Sequence, residues 1–166
     1  IYRRNKKDLG CKRHKKIFSD HNVIPNNCFG CYKVIIEPQT VIDLVKLYIL
    51  FDNIKLENNN IKKCMIELRP NVEGKYKCLV YCSDLNEAES ISKKLKILID
   101  DTINNNIMVD IKRGCTEFSM SFPQYKDYKS NSMKYDESWK KKEESIDNKF
   151  PNLLKNKINK ETISGI

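Results

Sequence analysis

The sequence predicts an α+β sandwich, and three observations point to it. Four segments between residues 31 and 114 alternate apolar and polar residues or run continuously apolar, as strands do. Two segments, near 40–54 and 84–103, carry apolar residues at helical spacing. Their order along the chain is strand, helix, strand, strand, helix, strand. Right-handed crossovers then favour a ferredoxin-like βαββαβ fold over about residues 31–115, with a four-stranded antiparallel sheet in the order 4-1-3-2. Both helices should pack on one face of that sheet and leave the other face open.

The first strand is read over 31–37, where Val34, Ile35 and Ile36 suit a central position and Pro38 ends the run. Thr40 is a good N-cap for the first helix, with Asp43 three residues on to favour the first-turn amides. From Val41 to Ile54 that helix is apolar on nearly every side except at Asp43 and Lys46. Such a helix should be buried on more than one face, under the tail, the arm or a partner chain. Asn58–Asn60 mark a turn. Residues 63–69 then alternate, with Cys64, Ile66 and Leu68 on one face, and Pro70 stops them. Tyr76–Cys82 alternate in the same way. Ser83 or Asp84 caps the second helix, whose apolar positions are Leu85, Ala88, Ile91, Leu95, Leu98 and Ile99. Met108–Gly114 close the pattern as the fourth strand.

On this reading residues 28–122 form the domain. Residues 1–27 form a basic arm, read as loop because Gly10, Pro25, Asn26 and Asn27 punctuate it. Residues 123–166 form a polar, basic extension with a short helix near 136–147, where Tyr128, Tyr135, Trp139 and Phe150 can dock it. A chain that opens on Ile1 rather than Met is expected to be a fragment or a processed product. No secretory signal or membrane-spanning run is present in the sequence, and seven cysteines, an odd number, argue against a disulfide framework. A cytoplasmic or other reducing intracellular compartment is therefore expected.

The net charge of +9 is uneven. Residues 1–33 carry nine Lys or Arg against two Asp, and residues 34–122 carry twelve basic against thirteen acidic groups. Arg3, Arg4, Lys6, Lys7, Lys12, Arg13, Lys15 and Lys16 crowd the arm, which marks it as a candidate contact for RNA or DNA phosphates. Heavy use of Asn, Lys and Ile across the chain also fits drift in an A+T-rich genome, under which the lysines are a solvated charge run.

The sharpest chemical signal is cysteine. Cys28 and Cys31 form a C-x-x-C pair at the entrance to the first strand. In the 4-1-3-2 sheet that entrance lies beside the ends of strands three and four, where Cys82 and Cys115 stand. Four thiolates from Cys28, Cys31, Cys82 and Cys115 suit zinc or an iron–sulfur cluster. Zinc is favoured because no C-x2-C-x2-C run is present. Cys11 with His14, His21, or Cys64 are competing ligands, the first two spaced C-x2-H before the C-x2-C pair. Cys78, in mid-strand, reads as a small buried hydrophobe.

On the open face, Lys33, Ile35, Glu37, Met65, Glu67, Arg69, Lys77, Leu79, Tyr81, Asp110 and Lys112 should point outward. RNA-recognition domains share the topology and stack bases on aromatics of the central strands. Here those positions fall on Lys77 and Leu79, so the face reads as solvated. Three functions are compatible with these features. The first is a Cys-ligated, metal-stabilised binding module for nucleic acid. The second is an iron–sulfur or other metal-dependent redox protein or enzyme. The third is an interaction subunit that offers the apolar helix at 40–54 to a protein partner.

Overall fold

The structure is a computed structural model that describes residues 2–3, 10–130 and 132–153. In chain order its elements are β1 (Tyr2–Arg3), α1 (Cys11–His21), α2 (Asn26–Phe29), β2 (Tyr32–Glu37), α3 (Val41–Asn53), β3 (Lys62–Ile66), β4 (Tyr76–Cys82), α4 (Leu85–Thr102), β5 (Met108–Arg113), α5 (Thr116–Ser121) and α6 (Lys140–Lys149). Single 3-10 turns lie at Pro123–Lys126, Glu137–Trp139 and Pro151–Leu153. The chain divides into two compact units. The sheet unit comprises Cys31–Lys112 and the N-terminal strand, and the helical unit is built from residues of the 6–30 and 113–166 segments. No helix among the described residues is long and apolar enough to cross a membrane.

In the sheet unit the strands run in the order β1-β3-β4-β2-β5. The last four are the predicted strands in the predicted antiparallel order, so the βαββαβ fold read from periodicity is the fold observed. β1 has no counterpart in the sequence pattern. It extends the sheet by pairing antiparallel with β3, Tyr2 opposite Lys63 and Arg3 opposite Lys62. β4 is central, with Val34 opposite Val80 on one side and Cys64 opposite Cys78 on the other. Val34, Ile36, Cys78 and Val80 form the sheet side of the core, and Leu47 and Phe51 of α3 and Ala88, Leu95 and Ile99 of α4 form the helix side. Burying each of the large side chains among them contributes about 1.5–3 kcal/mol.

Local sequence explains both helix starts. The Thr40 hydroxyl accepts from the Asp43 N–H at 3.1 Å and donates to the Asp43 carboxylate at 2.8 Å. At α4, Asp84 accepts from the Glu87 N–H at 2.8 Å while Glu87 reaches back to the Ser83 N–H, a reciprocal cap. The expectation that α3 is buried on several faces is corrected. Leu44, Leu47 and Phe51 are buried, but Val41, Ile42, Val45 and Ile49 are each more than half exposed. β3 also stops short of the predicted residue 69. Glu67 takes up the Arg69 side chain and backbone N–H there, and the chain turns toward Gly74 at φ 78.

The expected solvated face is corrected too, since Lys33 and Lys77 are each only 6% exposed. Lys33 places its ammonium 4.9 Å from the centre of the Tyr81 ring, its cross-strand neighbour. Lys77 approaches Glu67 at 4.0 Å.

The helical unit stands where the sequence suggests an irregular arm and tail. Gly10 at φ 66 precedes α1, and Asn22 at φ 48 ends it by donating its N–H to Phe18 O. Left-handed residues at such an end are the usual way to stop a helix. α1 buries Ile17 against Val23 and Ile146, with Trp139 and Phe150 alongside. A second core gathers Ile24, Cys28, Phe118 and Tyr125, ringed by Phe18, Phe29, Phe122 and Trp139. The predicted helix near 136–147 is the 3-10 turn at Glu137–Trp139 followed by α6, and Asp136 caps it through the Ser138 N–H at 2.9 Å.

Candidate nucleic-acid interface

The four thiols expected at one edge divide between the units. Cys31 and Cys82 belong to the sheet unit, and Cys28 and Cys115 to the helical unit. Cys82 is buried in the sheet core, and its thiol is pushed up to about 12 by that burial, with Glu87 and Cys31 adding negative charge nearby. Cys28 is buried among Ile24, Phe118 and Tyr125, and its carbonyl accepts from the Tyr125 hydroxyl. Cys115 is the N-cap residue of α5 and packs against the same aromatic core.

The competing ligands divide in the same way. Cys11 and His14 sit one turn apart on α1, and His21 closes that helix with its Nε2 buried and without a hydrogen-bond partner among the described residues. Cys64, which the sequence pattern puts at the sheet edge, lies instead in mid-strand, buried opposite Cys78. Among the described residues no group of three or more His, Cys, Asp or Glu side chains is placed to hold a metal ion.

The basic residues are ordered by α1. Arg13 points at α6, where its Nε and NH2 donate to the two oxygens of Asp147 at 2.6 and 2.8 Å, and NH2 also to Glu143 at 2.9 Å. Hydrogen bonding to Asp147 is the main reason the Arg13 pKa is raised. Glu143 is buried and further accepts from the Asn26 N–H and the Tyr135 hydroxyl, at 2.8 and 2.9 Å. Glu143 and Asp147 are thus consumed inside the unit, while Glu144 stays exposed. Lys16 pairs with Asp20 at 2.9 Å and lies 5.2 Å over the Phe150 ring. Lys12 and Lys15 are exposed. Arg3 lies in β1, and Arg4, Lys6 and Lys7 fall outside the described residues.

α1 and α6 pack on each other: Arg13 meets Glu143 and Asp147, Ile17 clusters with Ile146, and Lys16 lies over Phe150. α6 opens with three exposed lysines, Lys140, Lys141 and Lys142, beside the exposed Asp136, Glu137 and Glu144, and the first turn of α1 exposes Lys12. Helix N-termini carry partial positive charge, so lysine and backbone fields add there. The segments 6–30 and 113–166 together hold seventeen Lys or Arg and ten Asp or Glu, whereas 31–112 hold twelve of each. Sequence reading passes over Lys140–Lys142 because three lysines beside Glu143 and Glu144 look like a mixed, neutral stretch. The burial of Glu143 and its pairing with Arg13 take one of those two carboxylates out of that balance.

Arg113 is also withdrawn from the surface. Its guanidinium lies between the rings of Phe29 and Tyr125, at 5.4 and 4.6 Å, and its Nε donates to Tyr125 O at 2.7 Å. It supports the aromatic core rather than the basic face. No protein-family model matches this chain, and no curated protein or solved structure matches it.

Proposed function

We propose that this chain is a nucleic-acid-binding module whose helical unit grips the phosphate backbone of RNA or DNA. The observation that carries the reading is the packing of α1 on α6. It takes Glu143 and Asp147 up against Arg13 and leaves Lys12, Lys140, Lys141 and Lys142 exposed in the first turns of the two helices. Such contacts position a protein on a polyanion without reading bases, so affinity is salt-dependent and nearly sequence-independent. The test is a titration of labelled single-stranded RNA and duplex DNA at about 50 mM salt, where phosphate contacts are strong. Saturable binding that weakens steeply with salt supports the reading. Its absence, or binding indifferent to Lys140→Ala/Lys141→Ala/Lys142→Ala in a folded chain, rejects it.

A second reading, an interaction subunit, is favoured by one observation. Val41, Ile42, Val45 and Ile49 form a continuous apolar row on the outer side of α3. Solution mass across a concentration series tests self-association through that row.

A further inference from the structure

Cys64 and Cys78 stand directly opposite each other on β3 and β4. Two backbone bonds fix the phase of that ladder: the Tyr81 N–H donates to Ile61 O at 2.9 Å, and the Glu67 N–H to Lys75 O at 2.7 Å. Opposed residues in an antiparallel pair alternate between hydrogen-bonded and non-hydrogen-bonded positions. Counted inward from Ile61–Tyr81 or from Glu67–Lys75, Cys64 and Cys78 fall at a non-hydrogen-bonded position. There the Cα atoms lie about 4.5 Å apart and the side chains are closest. That separation is within the span a disulfide bridges, about 4.4–6.8 Å. Both side chains belong to the buried core beneath the helices.

We propose that Cys64 and Cys78 are a redox pair that closes reversibly to a cross-strand disulfide under a peroxide oxidant. Position in the sheet assigns the roles. Cys64 lies on β3, beside the short outer strand β1, whereas Cys78 lies on the central strand β4 and is fully buried. Cys64 is therefore the sulfur that an oxidant reaches first, the attacking one, and Cys78 is the resolving one.

Access comes through local opening, since among the described residues β3 is flanked on its outer side by the two-residue β1 alone. The Cys64 thiolate attacks one oxygen of hydrogen peroxide. An S–O bond forms, the O–O bond breaks, and the departing hydroxide leaves as water with the proton that Cys64 released. The Cys78 sulfur then attacks the sulfenic sulfur of Cys64. The S–S bond forms, the S–O bond breaks, and hydroxide leaves with the Cys78 proton as a second water. Two thiols lose two electrons, and one peroxide becomes two waters. The bond ties the β3–β4 hairpin at its middle and reduces the freedom of residues 65–77 in the unfolded chain.

The test uses the full chain as it is, freed of reductant and treated with hydrogen peroxide. Remaining thiols are then alkylated and the protein is digested for non-reducing peptide mapping. The expected result is a Cys64–Cys78 linked peptide pair, two hydrogens lighter than the separate peptides and released by dithiothreitol. This reading needs no variant and so does not depend on a mutant folding. Recovery of either cysteine as alkylated thiol, as sulfinic acid, or in a disulfide with another cysteine overturns the proposal. Cys78→Ala, checked for folding by far-ultraviolet dichroism, is expected to leave Cys64 at the sulfenic stage, trapped by dimedone. If the variant folds and no adduct forms, Cys64 is not the attacking sulfur and the assigned roles are overturned.

Discussion

Arg13 and Asp147 are joined side to side across most of the chain, guanidinium Nε and NH2 to the two carboxylate oxygens at 2.6 and 2.8 Å. The pair fastens α1 to α6, and it turns a lysine-rich arm into a helix with one inward and one outward face. Few local signals in residues 11–21 would hold that helix by themselves, because Ile17 is its one buried residue.

Arg13→Ala is expected to destabilise the helical unit by about 3 kcal/mol, because it leaves the buried Glu143 without its cation. Trp139 is the chain's single tryptophan and packs in both cores of that unit, so its fluorescence in a denaturant titration reports the loss.

Gly114 and Tyr125 make a sharper test of packing. Gly114 has φ 58, and a Cβ there would overlap the Tyr125 hydroxyl. Gly114→Ala is expected to cost more than about 2 kcal/mol, from the left-handed backbone and the overlap together. Tyr125→Phe loses the hydrogen bond to Cys28 O and is expected to cost about 1 kcal/mol. In the double variant the two costs should fall short of additive, since removing the hydroxyl relieves part of the overlap.

Acid should weaken the sheet unit in a defined window. Burial pushes the Glu87 carboxyl up, but hydrogen bonds from Asn58, the Ser83 N–H, Asn60 and the Ser83 hydroxyl more than offset it and hold it at about 2, against an ordinary 4.5. Arg69 likewise holds Glu67 at about 2. A depressed carboxylate contributes stability that is present above its unfolded pKa and lost as pH falls through its folded one. Denaturation midpoints are therefore expected to fall between about pH 4.5 and 2. Glu87→Gln should flatten part of that slope and lower the midpoint at about pH 7, where the carboxylate is fully ionised.

The two sides of α3 should respond differently. Leu47 is fully buried, and Leu47→Ala is expected to cost about 2–5 kcal/mol. Ile42 is 64% exposed, and Ile42→Ala should stay within about 0.5 kcal/mol of the parent. Thermal unfolding of the two variants compares them directly.

For the interface, Lys12→Ala/Lys15→Ala is expected to lower the salt dependence of nucleic-acid affinity by about two in log–log slope, one for each phosphate no longer neutralised. RNA and DNA should be affected alike. An unchanged slope in a folded double variant would remove α1 from the interface.

The sheet is legible in the sequence because two-residue alternation is a local signal that burial on one face enforces. Tyr76–Cys82 and the cap at Thr40 can be read to the residue, and the second cap to one of two neighbours, Ser83 or Asp84, of which Asp84 is the one observed. Cys64 is misplaced by the same reading because the alternation runs on to Arg69, whereas the strand ends at Ile66, one backbone bond from Glu67 to Lys75 beyond it, and the Glu67 carboxylate turns to Arg69. α1 escapes it because its lysines mask a single buried position, although Gly10 and Asn22 bracket the helix in left-handed conformations. The proposed interface depends on Arg13 meeting Glu143, which no local window of sequence contains.

The division of the chain has a consequence for its synthesis. Residues 31–112 are contiguous and carry the four main strands with both their helices, so the sheet unit can fold as soon as they emerge. The helical unit is split around them. Ile17, Ile24 and Cys28 are made first, yet their packing partners Phe118, Tyr125 and Ile146 are made after the whole sheet unit. At about 5–20 residues per second, the stretch from 113 to 150 takes roughly 2–8 seconds to add. Over that interval the first-made helices wait with their apolar sides uncovered. Chains ending near residue 115 and released from the ribosome should therefore resist protease across the sheet unit and be cut within residues 11–29, and released full-length chains should be protected in both.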